Sequence, residues 1–409
     1  MMKSAKKLNP TLPNELIVEI LLKLPVRSLS RFKCVSKLWF SQISSPQFAK
    51  THFDLDPSPT HRILLRLTNN DSQAESIDVD TLLHDHNDDV SDIINLTFLP
   101  PSPRIHPYGI SDSSMRNLGS CRGFMLLSNF KGDVVVWNPS TGAYRRISQS
   151  HYGLSDRFLN GIGYDASVDD YLVVLVQMNP LNNDHLDDPE PPPRWPTRIK
   201  FFSLKTHSWF SLNGAYAQYM DTGGVEFNSG SFLNEALHWL VVSLDKKAHV
   251  ILAFDLVRRT LFEIPLPDDI VMRLQVGFVQ IYLRVMGECL ALTFCNHKKA
   301  EIWMMKEYNV HSSWTKLFVL PIHAIPHKSF IPICFTKNGG ILGSNNHVRL
   351  VKFNEKGKLI EHRAYGKEEG YVCSLLHFFT YRESLLSFPS DFEESSEGDH
   401  EQTSEDDQQ

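Results

Sequence analysis

Residues 11–53 read TLPNELIVEILLKLPVRSLSRFKCVSKLWFSQISSPQFAKTHF, and this stretch decides how the chain begins to fold. Leu12, Leu16, Ile20 and Leu24 recur every fourth residue, which puts them on one face of a helix. Pro13 falls where a first-turn proline is tolerated, with Asn14 and Glu15 at the positive end of the helix dipole. Pro25 stops that helix, and Ser28 is placed to cap a second one carrying Leu29, Phe32 and Val35. Ser36 is placed to cap a third carrying Trp39, Phe40 and Ile43, and Ser45-Pro46 opens a last short turn with Phe48. So short a segment cannot bury all these large side chains within itself, so part of its apolar surface must face something else.

Leu12-Pro13, Glu15-Leu16, Glu19-Ile20-Leu21, Leu24-Pro25-Val26, Ser28-Leu29, Arg31 to Val35, Lys37, Trp39 and Phe48 stand here in the order of the F-box, which this stretch closely resembles. The one departure, Ser36-Lys37 where plant members often have Cys-Lys, is conservative. The resemblance implies docking on a Skp-type adaptor that links the chain to a cullin-RING ubiquitin ligase. Leu12, Pro13, Leu16, Ile20 and Leu24 are then the expected adaptor-facing stripe, with Pro25, Val26, Leu29, Val35 and Trp39 completing it. Phe32 and Phe40 are expected to hold the helices together.

The 409 residues leave room for a second, larger domain with a sizeable core. Apolar runs such as Leu172 to Val176 are strand-length and far too short to cross a bilayer, so no membrane association is expected. The N-terminus MMKSAKKLNP is basic without an apolar run after it, unlike a secretory signal. Cysteines 34, 121, 289, 295, 334 and 373 are scattered, with no CxxC pair and mostly in apolar contexts, which fits buried thiols in a reducing compartment, cytoplasmic or nuclear. Net charge is −6, but residues 1–53 hold nine Lys/Arg against two Glu, whereas residues 388–409 hold nine Asp/Glu and no Lys or Arg. A basic first module suits an acidic protein partner, and the acidic end argues against nucleic-acid binding.

After His52 the texture changes to short β-type runs, among them HRILLRL (61–67), DVVVW (133–137), YLVVLV (171–176), ALHWLVV (236–242) and HVRLVKF (347–353). A weak repeat organises them: VVVWNPSTGAYRRI (134–147), KFFSLKTHSWFSL (200–212), LAFDLVRRTLFEIPL (252–266), EIWMMKEYNVHSSWTKL (301–317) and LVKFNEKGKLIEHRAY (350–365). Trp137, Leu204, Leu256, Met305 and Asn354 mark intervals of 67, 52, 49 and 49 residues. Repeats near 50 residues built from short strands predict a kelch-type β-propeller, here of six blades. The first, long interval contains LNNDHLDDPEPPPRWPTR (181–198), which reads as an inserted surface loop. Trp137, Trp209, Trp239, Trp303 and Trp314 are expected mostly in blade cores, as are His207, His238 and His311 beside tryptophans.

Cys121-Arg-Gly, Trp137-Asn-Pro-Ser-Thr, Gly161-Ile-Gly-Tyr-Asp, Phe202-Ser-Leu-Lys-Thr, Leu237-His-Trp, Phe254-Asp-Leu, Ile264-Pro-Leu-Pro and Ser313-Trp-Thr-Lys-Leu resemble the plant F-box proteins with an F-box-associated interaction domain of the first type. Pollen S-locus F-box proteins, which recognise a self-incompatibility ribonuclease, share that architecture. The expected division is a disordered basic leader (1–10), the all-α F-box (11–53), an all-β kelch-like propeller (54–387) and a disordered acidic tail (388–409).

Gly161-Ile-Gly-Tyr-Asp-Ala166 fits the G-x-G-x-x-A dinucleotide spacing, but Asp169-Asp170 and a further β run follow where the motif needs a helix N-terminus. His84-Asp-His86 offers two imidazoles without a marked third ligand, and the string from Asp184 lacks the spacing of a calcium loop. No metal, no cofactor and no catalytic residue is expected. The reading is a non-catalytic subunit whose propeller presents a target protein for ubiquitination. Its rivals are a propeller hydrolase or lyase with a helical cap, and an F-box used outside a ligase.

Overall fold

The computed structural model describes residues 12–55, 61–67, 74–79, 93–96, 116–128, 134–147, 158–178, 197–213, 219–221, 229–274, 280–296, 298–325, 328–336, 338–345, 349–364 and 379–389. The leader, His84 to His86, the string from Asp184, Cys373 and the acidic tail from residue 390 lie outside them.

Four helices open the chain: α1 (Asn14–Leu22), α2 (Val26–Phe32), α3 (Lys37–Ser44) and α4 (Pro46–Leu55). Ser36 caps α3 as expected, its Oγ accepting from the Trp39 N–H at 3.2 Å, and Ser45 Oγ accepts from the Phe48 N–H at the start of α4. Pro25, not Ser28, opens α2: its φ of −58° lets the chain turn from one helix straight into the next. Pro13 likewise stands just before α1, and α4 is ten residues long rather than a short turn.

Six antiparallel sheets follow. The first pairs β1 (His61–Leu67), β2 (Ala74–Asp78) and β3 (Ile93–Leu96). The second holds β4 (Arg116–Cys121), β5 (Phe124–Ser128), β6 (Val134–Trp137) and β7 (Tyr144–Ile147). The third holds β8 (Phe158–Asp165), β9 (Asp170–Gln177), β10 (Arg198–Ser203) and β11 (Ser208–Asn213). The fourth is built on β12 (Tyr219–Asp221), β13 (Ser231–Leu233), β14 (Ala236–Ser243), β15 (Ala248–Asp255) and β16 (Thr260–Pro265). After helix α5 (Asp268–Leu274), the fifth holds β17 (Gln280–Met286), β18 (Cys289–Cys295), β19 (Lys299–Met305) and β20 (Trp314–Pro321). The sixth holds β21 (Ile331–Phe335), β22 (Ile341–Asn345), β23 (Arg349–Phe353) and β24 (Leu359–Ala364). The last strand, β25 (Phe379–Arg382), returns to the first sheet and pairs with β1, His61 opposite Arg382. The order β25-β1-β2-β3 completes six blades of a β-propeller.

The sequence repeats all fall on one part of the blade. Each is the hairpin of the third and fourth strands, from β6–β7 in the second blade to β23–β24 in the sixth. The first blade shows no such repeat and is the one that needs the C-terminal strand. In the fourth, β12 and β13 pair with opposite ends of β14, so the inner strand is split in two. Gly161-Ile-Gly-Tyr-Asp lies in the hairpin β8–β9, Asp165 opposite Asp170, where no helix start exists to receive a pyrophosphate.

Blade faces pack as separate clusters of buried Val, Leu, Ile, Phe and Trp side chains. Trp137, Trp239, Trp303 and Trp314 are buried there, and Trp209 is half-buried against Phe202. Of the three histidines, only His238 is a core residue. His207 sits exposed in the β10–β11 turn at φ +53°, and His311 is exposed on a 3-10 turn, because both fall just outside strand ends. Helix α5 is tied to the fifth blade by Arg273, 2.8 Å from the fully buried Glu301 carboxylate, which Lys299 and Lys316 also approach. Burial opposes the Glu301 charge, but these cations outweigh it and hold the carboxyl at about 2.

His238 carries a pH prediction. Its Nδ1 donates to the Ser231 carbonyl at 3.1 Å and its Nε2 accepts from the Tyr308 hydroxyl at 2.8 Å, so the ring is held neutral. Burial pushes its pKa from 6.5 to about 4. The unfolded chain therefore binds the proton more readily. This contribution is fully present above pH 6.5 and is lost as pH falls toward 4, on the order of 3 kcal/mol. Urea unfolding between pH 4 and 7 is expected to show this slope in the parent and a flatter one in His238→Gln. Identical slopes refute the assignment.

Candidate protein-binding interface

The four helices use two faces differently. Leu21, Val26, Leu29, Ile43, Phe48, Ala49 and Phe53 are buried in one cluster with Phe124 and Tyr171 of the propeller and with Leu385, Leu386 and Phe388. Leu12, Leu16 and Ile20 lie 56%, 44% and 51% exposed along the other side of α1, with Pro13 and Pro25 also exposed. Val35, Leu38 and Phe40 extend the uncovered apolar surface at the α2–α3 corner.

The expected adaptor-facing set therefore divides. Leu12, Pro13, Leu16, Ile20, Pro25 and Val35 stand at the surface. Leu24 is half-buried, its carbonyl accepting from His52 Nε2 at 2.8 Å, and Trp39 is half-buried edge-on against Phe32. Val26 and Leu29 are corrected: at 3% and 0% exposure they hold the helices to the propeller and cannot meet a partner. Phe40, expected inside, is outside, and Leu38 was missed. Trp39 and Ile43, spaced i, i+4, define the inward face of α3, which turns Leu38 and Phe40 about 100° to either side. That spacing is visible in the sequence and was the available signal.

The mount between the modules is specific. The Phe53 ring lies under the guanidinium groups of Arg122, at 4.6 Å, and Arg382, at 3.8 Å; Arg382 also donates to the Phe53 carbonyl. Arg122 pairs with Asp54 at 3.2 Å and covers the Tyr164 ring, while Lys50 reaches Asp169 at 3.1 Å. Cys121-Arg122-Gly123 forms the β4–β5 turn, and Gly123 has φ +87° with a would-be Cβ 2.5 Å from Ser384. Only glycine lets residues 383–388 pass there. Asn138 Nδ2 donates to the carbonyls of Ser384 and Leu386, and Ser140 Oγ accepts from the Ser384 N–H. Two of the sequence motifs thus hold the terminal strap in place. Phe388, assigned to the tail on composition, is buried against Phe124 with Arg145 over its ring.

Direction alternates along each blade, so the turns between first and second strands and between third and fourth share one end of the ring. The helices sit at that end, against the turns at Arg122 and Asp169. The strand ends joined by residues 68–73, 97–115, 129–133, 148–157 and 179–196 lie at the other. Between the ends runs a cavity of about 470 Å³ lined by β4, β13, β17, β21 and β25.

Residues 65–386 match the F-box associated beta propeller domain family and residues 10–51 the F-box domain family. The chain is a plant F-box protein with an F-box-associated propeller. This F-box protein is 28% identical over 382 residues to F-box protein CPR1 of Arabidopsis thaliana, spanning 85% of this chain and 83% of that one. It is 27% identical to the Arabidopsis F-box/kelch-repeat protein At3g23880, covering 76% and 79% of the two chains, and 26% identical to F-box protein At4g22390, covering 89% and 88%. Among the described residues of the F-box protein, no three His, Cys, Asp or Glu side chains gather as a metal site, and no helix is long and apolar enough to cross a membrane.

Proposed function

We propose that this F-box protein is the substrate-recognition subunit of an SCF-type E3 ubiquitin ligase. The observation that carries the reading is the apolar ridge Leu12, Leu16, Ile20, left uncovered while the opposite face of the same helices is consumed by the propeller. An uncovered ridge on a rigid mount fits a Skp-type adaptor, and through it a cullin. The propeller holds the target protein at the end of the ring away from the helices, where the longer connections join the blades. The protein makes no bond itself; it raises the local concentration of target beside the charged conjugating enzyme. Cys34, Cys121, Cys289 and Cys295 carry free thiols, which supports work in the reducing cytosol and nucleus.

Co-purification tests the assembly: adaptor and cullin together support the ligase, and adaptor alone points to an F-box used outside one. The interface has its own test. Leu16→Ala with Ile20→Ala removes side chains that the isolated fold leaves exposed, so the helices stay intact. Adaptor affinity is expected to fall by about 2 kcal/mol or more, roughly thirtyfold, by titration calorimetry. Unchanged affinity with an unchanged melting curve removes the ridge from the interface.

A further inference from the structure

We infer that the acidic segment 390–409 is an intramolecular ligand for the basic face formed by Lys23, Arg27 and Arg31, where it competes with an acidic partner of the helices. Arg27 and Arg31 are one turn apart on α2, and Lys23 closes α1 just before it. All three are exposed, and none lies within ion-pair distance of a carboxylate among the described residues. Lys37 continues the same charge at the start of α3. The helices that carry the apolar ridge thus also carry exposed cations that make no ion pair among the described residues.

The position of the last described residues gives the segment access. The strap 383–388 is pinned by Asn138 and Ser140 and buries Leu385, Leu386 and Phe388 in the cluster that holds Val26 and Leu29 of α2. Burial pushes the Glu383 carboxyl up, and the Arg62 and Arg27 charges pull it back, so the α2 face is electrostatically coupled to the start of the strap. The chain then continues for twenty residues with nine carboxylates and no Lys or Arg. Twenty residues have a random-coil span of about 25 Å and a fully extended reach of up to ~68 Å, enough to cover the helices. Tethering puts it at about millimolar effective concentration, enough to populate a weak electrostatic contact. The cations are exposed and solvated, so salt screens the contact within about 8 Å at 0.15 M.

Carbodiimide coupling of the full-length protein followed by mass spectrometry reads the contact directly, because it joins only carboxylates and amines in touch. Tail carboxylates are expected to couple to Lys23 and Lys37 in preference to the exposed propeller lysines Lys247, Lys306 and Lys356, with yields falling severalfold in 1 M salt and in Arg27→Glu/Arg31→Glu. Coupling to the propeller lysines instead, or none to the helices, overturns the proposal. The competition rests on the adaptor reading and is tested by association kinetics. Deleting 390–409 is expected to raise the adaptor association rate about three- to tenfold at 50 mM salt, with the difference vanishing at 1 M. Equal rates at low salt overturn the competition. Failure of both forms to bind adaptor overturns the ligase reading instead, and the coupling pattern still decides whether the segment docks on the helices.

Discussion

Deletion of residues 383–409 is expected to unfold both modules, whereas deletion of 390–409 leaves the melting temperature within about a degree. The shorter deletion removes only the acidic residues beyond the strap. The longer one strips Leu385, Leu386 and Phe388 from the shared core, each worth about 1.5–3 kcal/mol of burial. It also removes Glu383, 3.6 Å from the fully buried Arg62, and loss of one partner of a buried pair costs about 3–5 kcal/mol. Together these approach the 5–15 kcal/mol that holds a typical domain folded. Phe388→Ala is the graded version, at about 3–5 kcal/mol. Hydrogen exchange should show residues 14–55 losing protection along with blades two and three. Helices that keep their protection in Phe388→Ala would mean that the F-box folds by itself and the shared core is incidental.

Trp239→Ala is expected to lower the melting temperature by on the order of 10 °C, from about 3–5 kcal/mol of lost packing. Trp239 is 1% exposed between the third and fourth blades, among Leu159, Leu237 and Phe254, and its Nε1 donates to the Asn160 carbonyl at 2.9 Å. Trp239→Phe keeps most of the volume and loses mainly that bond, about 1 kcal/mol. Because this cluster is distinct from the one holding the helices, the exchange loss should concentrate in blades three and four. A Trp239→Ala protein with parental melting but lost target binding would make the ring a contact surface rather than a packing element.

Much of this architecture is written plainly in the chain. The third-and-fourth-strand hairpins repeat because each must turn tightly and bury one large residue per blade, and Trp137, Leu256 and Met305 mark that demand. The first blade was not legible, because its inner strand comes from residues 379–382, more than three hundred positions from the strands it joins. The helical face was legible in part. Apolar periodicity finds every residue that avoids water, but it does not separate Val26, buried at 3% exposure, from Leu16, 44% exposed. That distinction depends on where Leu385, Leu386 and Phe388 come to rest. They sat at the border of an acidic segment, and composition assigned the last of them to it.

Closure of the ring by β25 has a consequence for synthesis. The helices are made before the propeller, yet the core under their inner face stays incomplete until residues 383–388 have been made. Pairing of β25 with β1 must also wait for the whole ring, a contact of extreme sequence separation and hence slow to form. A chain that stops early would expose Val26, Leu29 and Phe53 to the cell's chaperones and proteases instead of presenting a finished helical module. Residues 383–388 thus tie completion of the helical module's core to completion of the ring.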